Sequence, residues 1–143
     1  MSESTVLLVD DEEDFVEVLA ERLEARGLTV DTAGNGELAL EKAGKRPFDA
    51  IVLDMAMPGM NGIETLQGLL RINPDIQVIL LTGRATLAQA VEAMKLGALD
   101  FLEKPVDIGT LVAKIEEAAT KKSSLRDKRI EDKMSDIMRK KGW

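Results

Sequence analysis

Five short apolar runs alternate with stretches of helical period, and this alternation limits the possible folds more than any other feature of the chain. Thr5 to Val9 is a continuous apolar run, and residues 12–26 then carry Phe15, Val16, Val18, Leu19 and Leu23 at helical spacing before Gly27 stops the helix. Leu28-Thr29-Val30 begins a second strand, and Glu37 to Lys45 reads as a short helix. Phe48 to Leu53 is a third strand, and a loop through Gly62 leads to a helix ending near Ile72. Asn73-Pro74-Asp75 is a turn, followed by a fourth strand over Ile76 to Leu81 and a helix over Leu87 to Leu96 closed by Gly97. Leu99 to Glu103 is the fifth strand, and Pro105-Val106-Asp107 opens a last helix.

The pattern is a strand–helix unit repeated five times. Continuous apolar strands predict burial on both faces, hence a parallel sheet between two helix layers, an α/β three-layer architecture. Right-handed crossovers leave only a few doubly wound topologies. Such sheets hold their sites beyond the carboxyl ends of the strands. The residues that fall there are Asp10 and Asp11, Asp54, Thr82 and Gly83, and Lys104.

With 143 residues, 45% of them hydrophobic and 31% charged, the chain can bury one core. It contains no cysteine and no histidine, which removes disulfides, thiolate or imidazole metal sites, and serine–histidine or cysteine nucleophile chemistry. Carboxylates, hydroxyls, lysine and backbone are what remain. Met1-Ser2-Glu3-Ser4 lacks the basic start of a secretion signal, and no apolar stretch approaches bilayer length, so a cytoplasmic setting without membrane association is expected.

Three carboxylates at one sheet edge repel one another unless a cation compensates them. Mg²⁺, a hard cation bound through oxygen, meets that need, and Lys104 adds a fixed positive charge. With the Thr82 hydroxyl, the set can hold a transferring phosphoryl group, and Asp54 is a plausible carboxylate nucleophile. Each residue taken singly also has a plainer reading: acids after strands cap helices and form turns, Lys104 suits a solvated surface, and Thr82 is a common strand former. The joint placement favours the site.

Val9-Asp10-Asp11-Glu12, the run from Val52 through Asp54 to Gly62, Leu81-Thr82-Gly83 and Lys104-Pro105 resemble the four signature stretches of response-regulator receiver domains. The resemblance covers about residues 4–120, in the family's order and spacing. It implies a flavodoxin-like (βα)5 fold with strand order 2-1-3-4-5 and a cis Lys104–Pro105 peptide. It further implies that Asp54 accepts phosphate from a sensor histidine kinase or phosphotransfer protein. Asp11, Asp54 and the Ala56 carbonyl would bind Mg²⁺, with Asp10 joining through water. Lys104 would contact the phosphoryl oxygens, Thr82 would move towards them, and Phe101 would be the switch aromatic that follows. Ala56 and Arg84 occupy positions that tune the phosphate lifetime in this family. The expected product is a signalling switch acting on a downstream protein, an enzyme only in its own phosphorylation and dephosphorylation.

Two rivals are a Mg²⁺-dependent phosphatase with an aspartate nucleophile and a pseudo-receiver that only binds partners. The phosphatase family wants a second Asp two residues after the nucleophile, where this chain has Ala56; the complete acid, Thr and Lys set argues against the pseudo-receiver. Gly34-Asn35-Gly36-Glu37-Leu38-Ala39 fits a dinucleotide-binding G-x-G-x-x-A pattern, with Asp54 lying 20 residues beyond Gly34. It sits on the second strand and leaves the acids and Lys104 without a task, so it reads as loop glycines and chance. Met55, Met57 and Met60 read as core and loop packing.

Residues 1–120 are read as the receiver and 121–143 as a basic extension. The extension has nine basic and four acidic residues, net +5, against −7 for the whole chain, which leaves −12 on the body. That acidic body argues against nucleic-acid binding. Leu125, Ile130, Met134, Ile137 and Met138 recur at near-helical spacing, so the extension is expected to prolong the last helix and to contact a partner or form a homodimer. Trp143 is a lone terminal aromatic.

Overall fold

A computed structural model of the chain describes residues 4–57, 59–83 and 86–140. The motif residue Pro58, Arg84 and Trp143 lie outside the described residues. The elements run β1 (Thr5–Val9), α1 (Glu13–Ala25), β2 (Thr29–Ala33), α2 (Gly36–Lys45), β3 (Ala50–Asp54), α3 (Gly62–Ile72), β4 (Val78–Thr82), α4 (Leu87–Leu96), β5 (Asp100–Glu103) and α5 (Ile108–Lys140). The strands form one parallel sheet in the order β2-β1-β3-β4-β5.

Strand side chains alternate between the two faces, and each face has its own core. Leu7, Val9, Ile51, Leu53, Val78 and Leu80 pack with Leu66, Leu69, Ala90 and Ala93 of α3 and α4. Val6, Leu8, Val52, Ile79 and Leu81 pack with Val16, Leu19 and Leu23 of α1 and with Leu111, Ile115 and Ala118 of α5. The three layers follow from this partition. Burial on both faces holds for β1, β3 and β4; the edge strands β2 and β5 are only half-buried, because each has a neighbour on one side alone.

Local sequence explains the helix ends. Asn35 caps α2 by accepting from the Leu38 N–H, and Asn61 and Glu64 form a reciprocal capping box on α3. Asp107 caps α5 by accepting from the Thr110 N–H at 2.9 Å. Gly27 and Gly97, at φ 90° and 122°, end α1 and α4 in a conformation that side chains disfavour.

Four strands start later than expected, β2 at Thr29 and β5 at Asp100 by one residue each, and β3 and β4 by two. Phe48 and Ile76 pack against the core on the α2–α4 side, yet they precede the first ladder pairs of β3 and β4. Burial extends beyond pairing there, since an Asn73 turn holds Ile76 and Asp49 is tied back to Thr5.

Leu80, at the centre of the sheet, is 0% exposed. Leu80→Ala is expected to cost about 2–5 kcal/mol, read as a lower midpoint in urea denaturation.

Candidate functional site

Strand register brings the singled-out residues to one edge. Val9 pairs with Leu53, so Asp10 and Asp54 leave adjacent strands at the same level. Asp54 is level with Leu81, and Thr82 with Glu103, which places Thr82 and then Lys104 one step beyond. Carboxylate oxygens of Asp10, Asp11 and Asp54 all lie within 4.8 Å of one another. Asp10 and Asp54 are buried, each 4% exposed, whereas Asp11 faces solvent.

Lys104 closes the cluster. Its ammonium donates to Asp10 Oδ2 at 3.1 Å and stands 3.5 Å from both Asp54 Oδ1 and Glu12 Oε1. It also lies over the Phe15 ring, 4.5 Å from the centroid, a cation–π contact that holds it from the α1 side. The Lys104–Pro105 peptide is cis. Burial pulls the Lys104 pKa down, but the Asp10 hydrogen bond and the charges of Asp10, Asp54 and Glu12 outweigh it and leave the pKa raised.

The Asp54 pKa is raised too, but for an acid this disfavours the charged form. Burial, and then the Asp10 charge, push its pKa up to about 6, against the pull of Lys104 and of the Ala56 N–H, which donates to Asp54 Oδ1 at 3.4 Å. Four carboxylates, the buried Asp10 and Asp54 and the exposed Asp11 and Glu12, gather near one ammonium, so the negative charge is only partly compensated. A divalent cation with oxygen ligands fits this donor set.

Thr82 is fully buried, and its hydroxyl is 2.6 Å from that of Thr86, with a further bond to the Gly83 carbonyl at 3.0 Å. The Gly83 N–H donates to Thr86 Oγ1 at 3.1 Å, which ties the end of β4 to the start of α4. Phe101 is half-buried against the α2–α4 core. Ala56 is exposed beside Asp54. Gly62 approaches the end of β3 closely: a Cβ there would lie 2.8 Å from Met55 Cα. Met55 and Met57 are core residues, and Met60 is half-buried.

The Gly34–Ala39 segment has a structural explanation. Asn35 is a helix cap, Ala39 is core, and Gly36 packs where a side chain would meet Thr65 and Met60.

Sequence reasoning overlooked Phe15 and Thr86. Phe15 was one apolar residue of a helical stripe, and its seat at position five after Asp10 gave no sign that it faces Lys104. Thr86 lies four residues after Thr82, a spacing that allows two hydroxyls to meet if a helix begins there.

Residues 6–116 match the family described as response regulator receiver domain. The transcriptional regulatory protein ZraR of Escherichia coli O157:H7 is 40% identical over 113 residues, 79% of this chain and 26% of that protein. The acid tolerance regulatory protein ActR of Rhizobium meliloti is 36% identical over 111 residues, 78% of this chain and 57% of that one. The chain therefore spans between about a quarter and somewhat over half of these curated relatives. A crystal structure of a response regulator receiver domain protein from Clostridium thermocellum is 33% identical, with a TM-score of 0.82, covering 85% of this chain and 98% of that one.

Proposed function

The chain belongs to the response regulator receiver domain family of two-component systems, and from that premise we propose that it is a phosphorylation-driven switch with Asp54 as acceptor. The observation that carries this reading is the meeting of Asp10, Asp11 and Asp54 with Lys104 at one sheet edge. In the proposed reaction an Asp54 carboxylate oxygen attacks the phosphorus of a phosphohistidine on a sensor kinase or phosphotransfer protein. The P–N bond breaks, a P–O bond forms, and the imidazole leaves with the electron pair. Lys104 neutralises charge on the equatorial oxygens, as electrostatic stabilisation of phosphoryl transfer requires.

Asp11, Asp54 and the Ala56 carbonyl would hold Mg²⁺, with Asp10 acting through water. When bound, the ion supplies positive charge to the phosphoryl oxygens. Thr82 is the proposed reporter: to reach a phosphate on Asp54, its hydroxyl must give up Thr86. Phe101 would reorient with it, altering the surface of α4, β5 and α5 that a downstream protein reads. Phosphate biases an equilibrium between two states that exist without it. The proposed organisation is a receiver over 1–120 followed by a basic extension over 121–143. Among the described residues no helix is long and apolar enough to cross a membrane; a cytoplasmic setting is part of the proposal.

Beryllofluoride mimics a phosphoryl group on a carboxylate, so melting with Mg²⁺ and beryllofluoride tests the reading. Ligands at about 100 times their dissociation constant add about 2.7 kcal/mol, so the melting temperature is expected to rise by several degrees. Asp54→Asn should abolish the beryllofluoride response. No response in the wild type would count against the switch, and steady turnover of a small phosphoester would favour the phosphatase.

A further inference from the structure

Helix α5 leaves the body before it ends. Leu111, Ile115 and Ala118 are buried, Lys122 reaches Asp49 at 3.7 Å, and Arg129 grips Asp75 through two bonds of 2.6 and 2.9 Å. Beyond Arg129 the helix continues to Lys140 with every residue exposed. That stretch carries Ile130, Met134, Ile137 and Met138, exposed by 56, 52, 48 and 44%. Isolated exposed apolar residues are ordinary, but four on one helical face call for a partner surface.

Their spacing says what kind. Ile130, Met134 and Ile137 are separated by four and three residues, the d-a-d positions of a heptad, with Met138 flanking at e. In that register Lys122 and Arg129 both fall on c and Leu125 on f, the side turned away from a and d. The contacts to the body and the free stripe therefore occupy different sides of one helix. Arg126 falls on g and Glu131 on e of the following heptad, the pair that meets across a parallel two-stranded coil. An antiparallel pair would instead align g with g, bringing Lys133 and Lys140 together.

We propose that residues 123–140 form a short, in-register parallel coiled coil with a second copy of this chain, with Ile130, Met134 and Ile137 as its core and reciprocal Arg126–Glu131 pairs at its edges. Asp127 occupies a and Ser123 occupies d, each opposite its own copy, so the association is weak and could be strengthened at Asp127. Pairing belongs to the helix and needs neither phosphate nor Mg²⁺, so it stands apart from the reading of Asp54.

The test is sedimentation of the full chain in chelator, without phosphodonor, from about 10 µM to 1 mM, a span suited to weak association. A monomer–dimer equilibrium is expected. Met134→Lys should raise its dissociation constant more than 10-fold, and Asp127→Leu should lower it by a similar factor. Arg126→Glu should weaken it, and the double variant Arg126→Glu with Glu131→Arg should restore it. The chain has no cysteine, so Ile137→Cys gives a clean second readout: oxidation should produce a covalent dimer, whereas Asp132→Cys, at f on the side of the helix turned away, should crosslink far less. All these positions are exposed, and far-UV circular dichroism checks that the fold is unchanged. A monomer throughout, a dimer indifferent to Met134→Lys, or an Ile137→Cys variant that does not crosslink would overturn the proposal.

Discussion

Lys104→Met is expected to slow phosphoryl uptake by Asp54 by about 100-fold to 1,000-fold, the usual cost of losing one group that stabilises developing oxyanion charge. The same change should lower stability. Lys104 stands 3.1 Å from Asp10 and 3.5 Å from Asp54 and Glu12, and among the described residues it is the cation paired with this cluster. Breaking a buried pair leaves an uncompensated charge at a cost of about 3–5 kcal/mol. Glu12 is exposed and Lys104 is partly so, and solvent screening reduces the expected loss to about 1–3 kcal/mol in metal-free protein. Because the Lys104 pKa is raised above 10.5 in the fold, its contribution is complete at neutral pH and is lost only as pH rises through the folded value. Methionine keeps an unbranched apolar stem of similar bulk that can still lie against Phe15, while the charge is removed together with its cation–π contact. Urea denaturation in chelator at pH 8, with and without added Mg²⁺, measures the loss. Mg²⁺ should recover much of the stability but not the rate.

Asp54→Asn should have the opposite effect on stability and a complete effect on chemistry. The Asp54 pKa is about 6 in the fold against 3.8 for the free side chain. Between those values the folded protein holds more protons than the unfolded chain, so this group's contribution falls as pH rises through the window and stays low above it. The full shift corresponds to roughly 3 kcal/mol. Sharing with Asp10, and the loss of one Lys104 partner in the variant, bring the expected gain to about 1–2 kcal/mol at pH 8 in chelator. The advantage should fade on acidification towards pH 4, where both proteins are neutral at this position. Added Mg²⁺ should narrow or reverse the difference, since the variant loses a proposed ligand. A variant less stable than wild type at pH 8 would contradict the account of a crowded acidic site.

Much of this arrangement was legible in the chain because parallel sheets express themselves locally. Leu7, Ile51 and Leu80 belong to uninterrupted apolar runs, and the residue after each run must emerge at the same edge. Topology therefore carried Asp10, Asp54, Thr82 and Lys104 to one place without knowledge of side chains. The order of strands came instead from resemblance to a family, since right-handed crossovers alone leave several windings open. Boundaries slipped at Phe48 and Ile76 because core packing and ladder pairing cover different residues. Phe15 over Lys104 and Thr86 against Thr82 were invisible, for they depend on where a helix enters relative to its neighbours. The fully buried Thr82 hydroxyl has a partner in Thr86, the bond that the proposed switch would break.

The central claim is covalent chemistry at Asp54, and intact mass after incubation with acetyl phosphate tests it most directly. Wild type with Mg²⁺ should gain one phosphoryl group, about 80 Da for HPO₃, and Asp54→Ala, or wild type in chelator, should gain none. A folded wild-type protein that gains no mass, or an Asp54→Ala variant that gains as much, would contradict it.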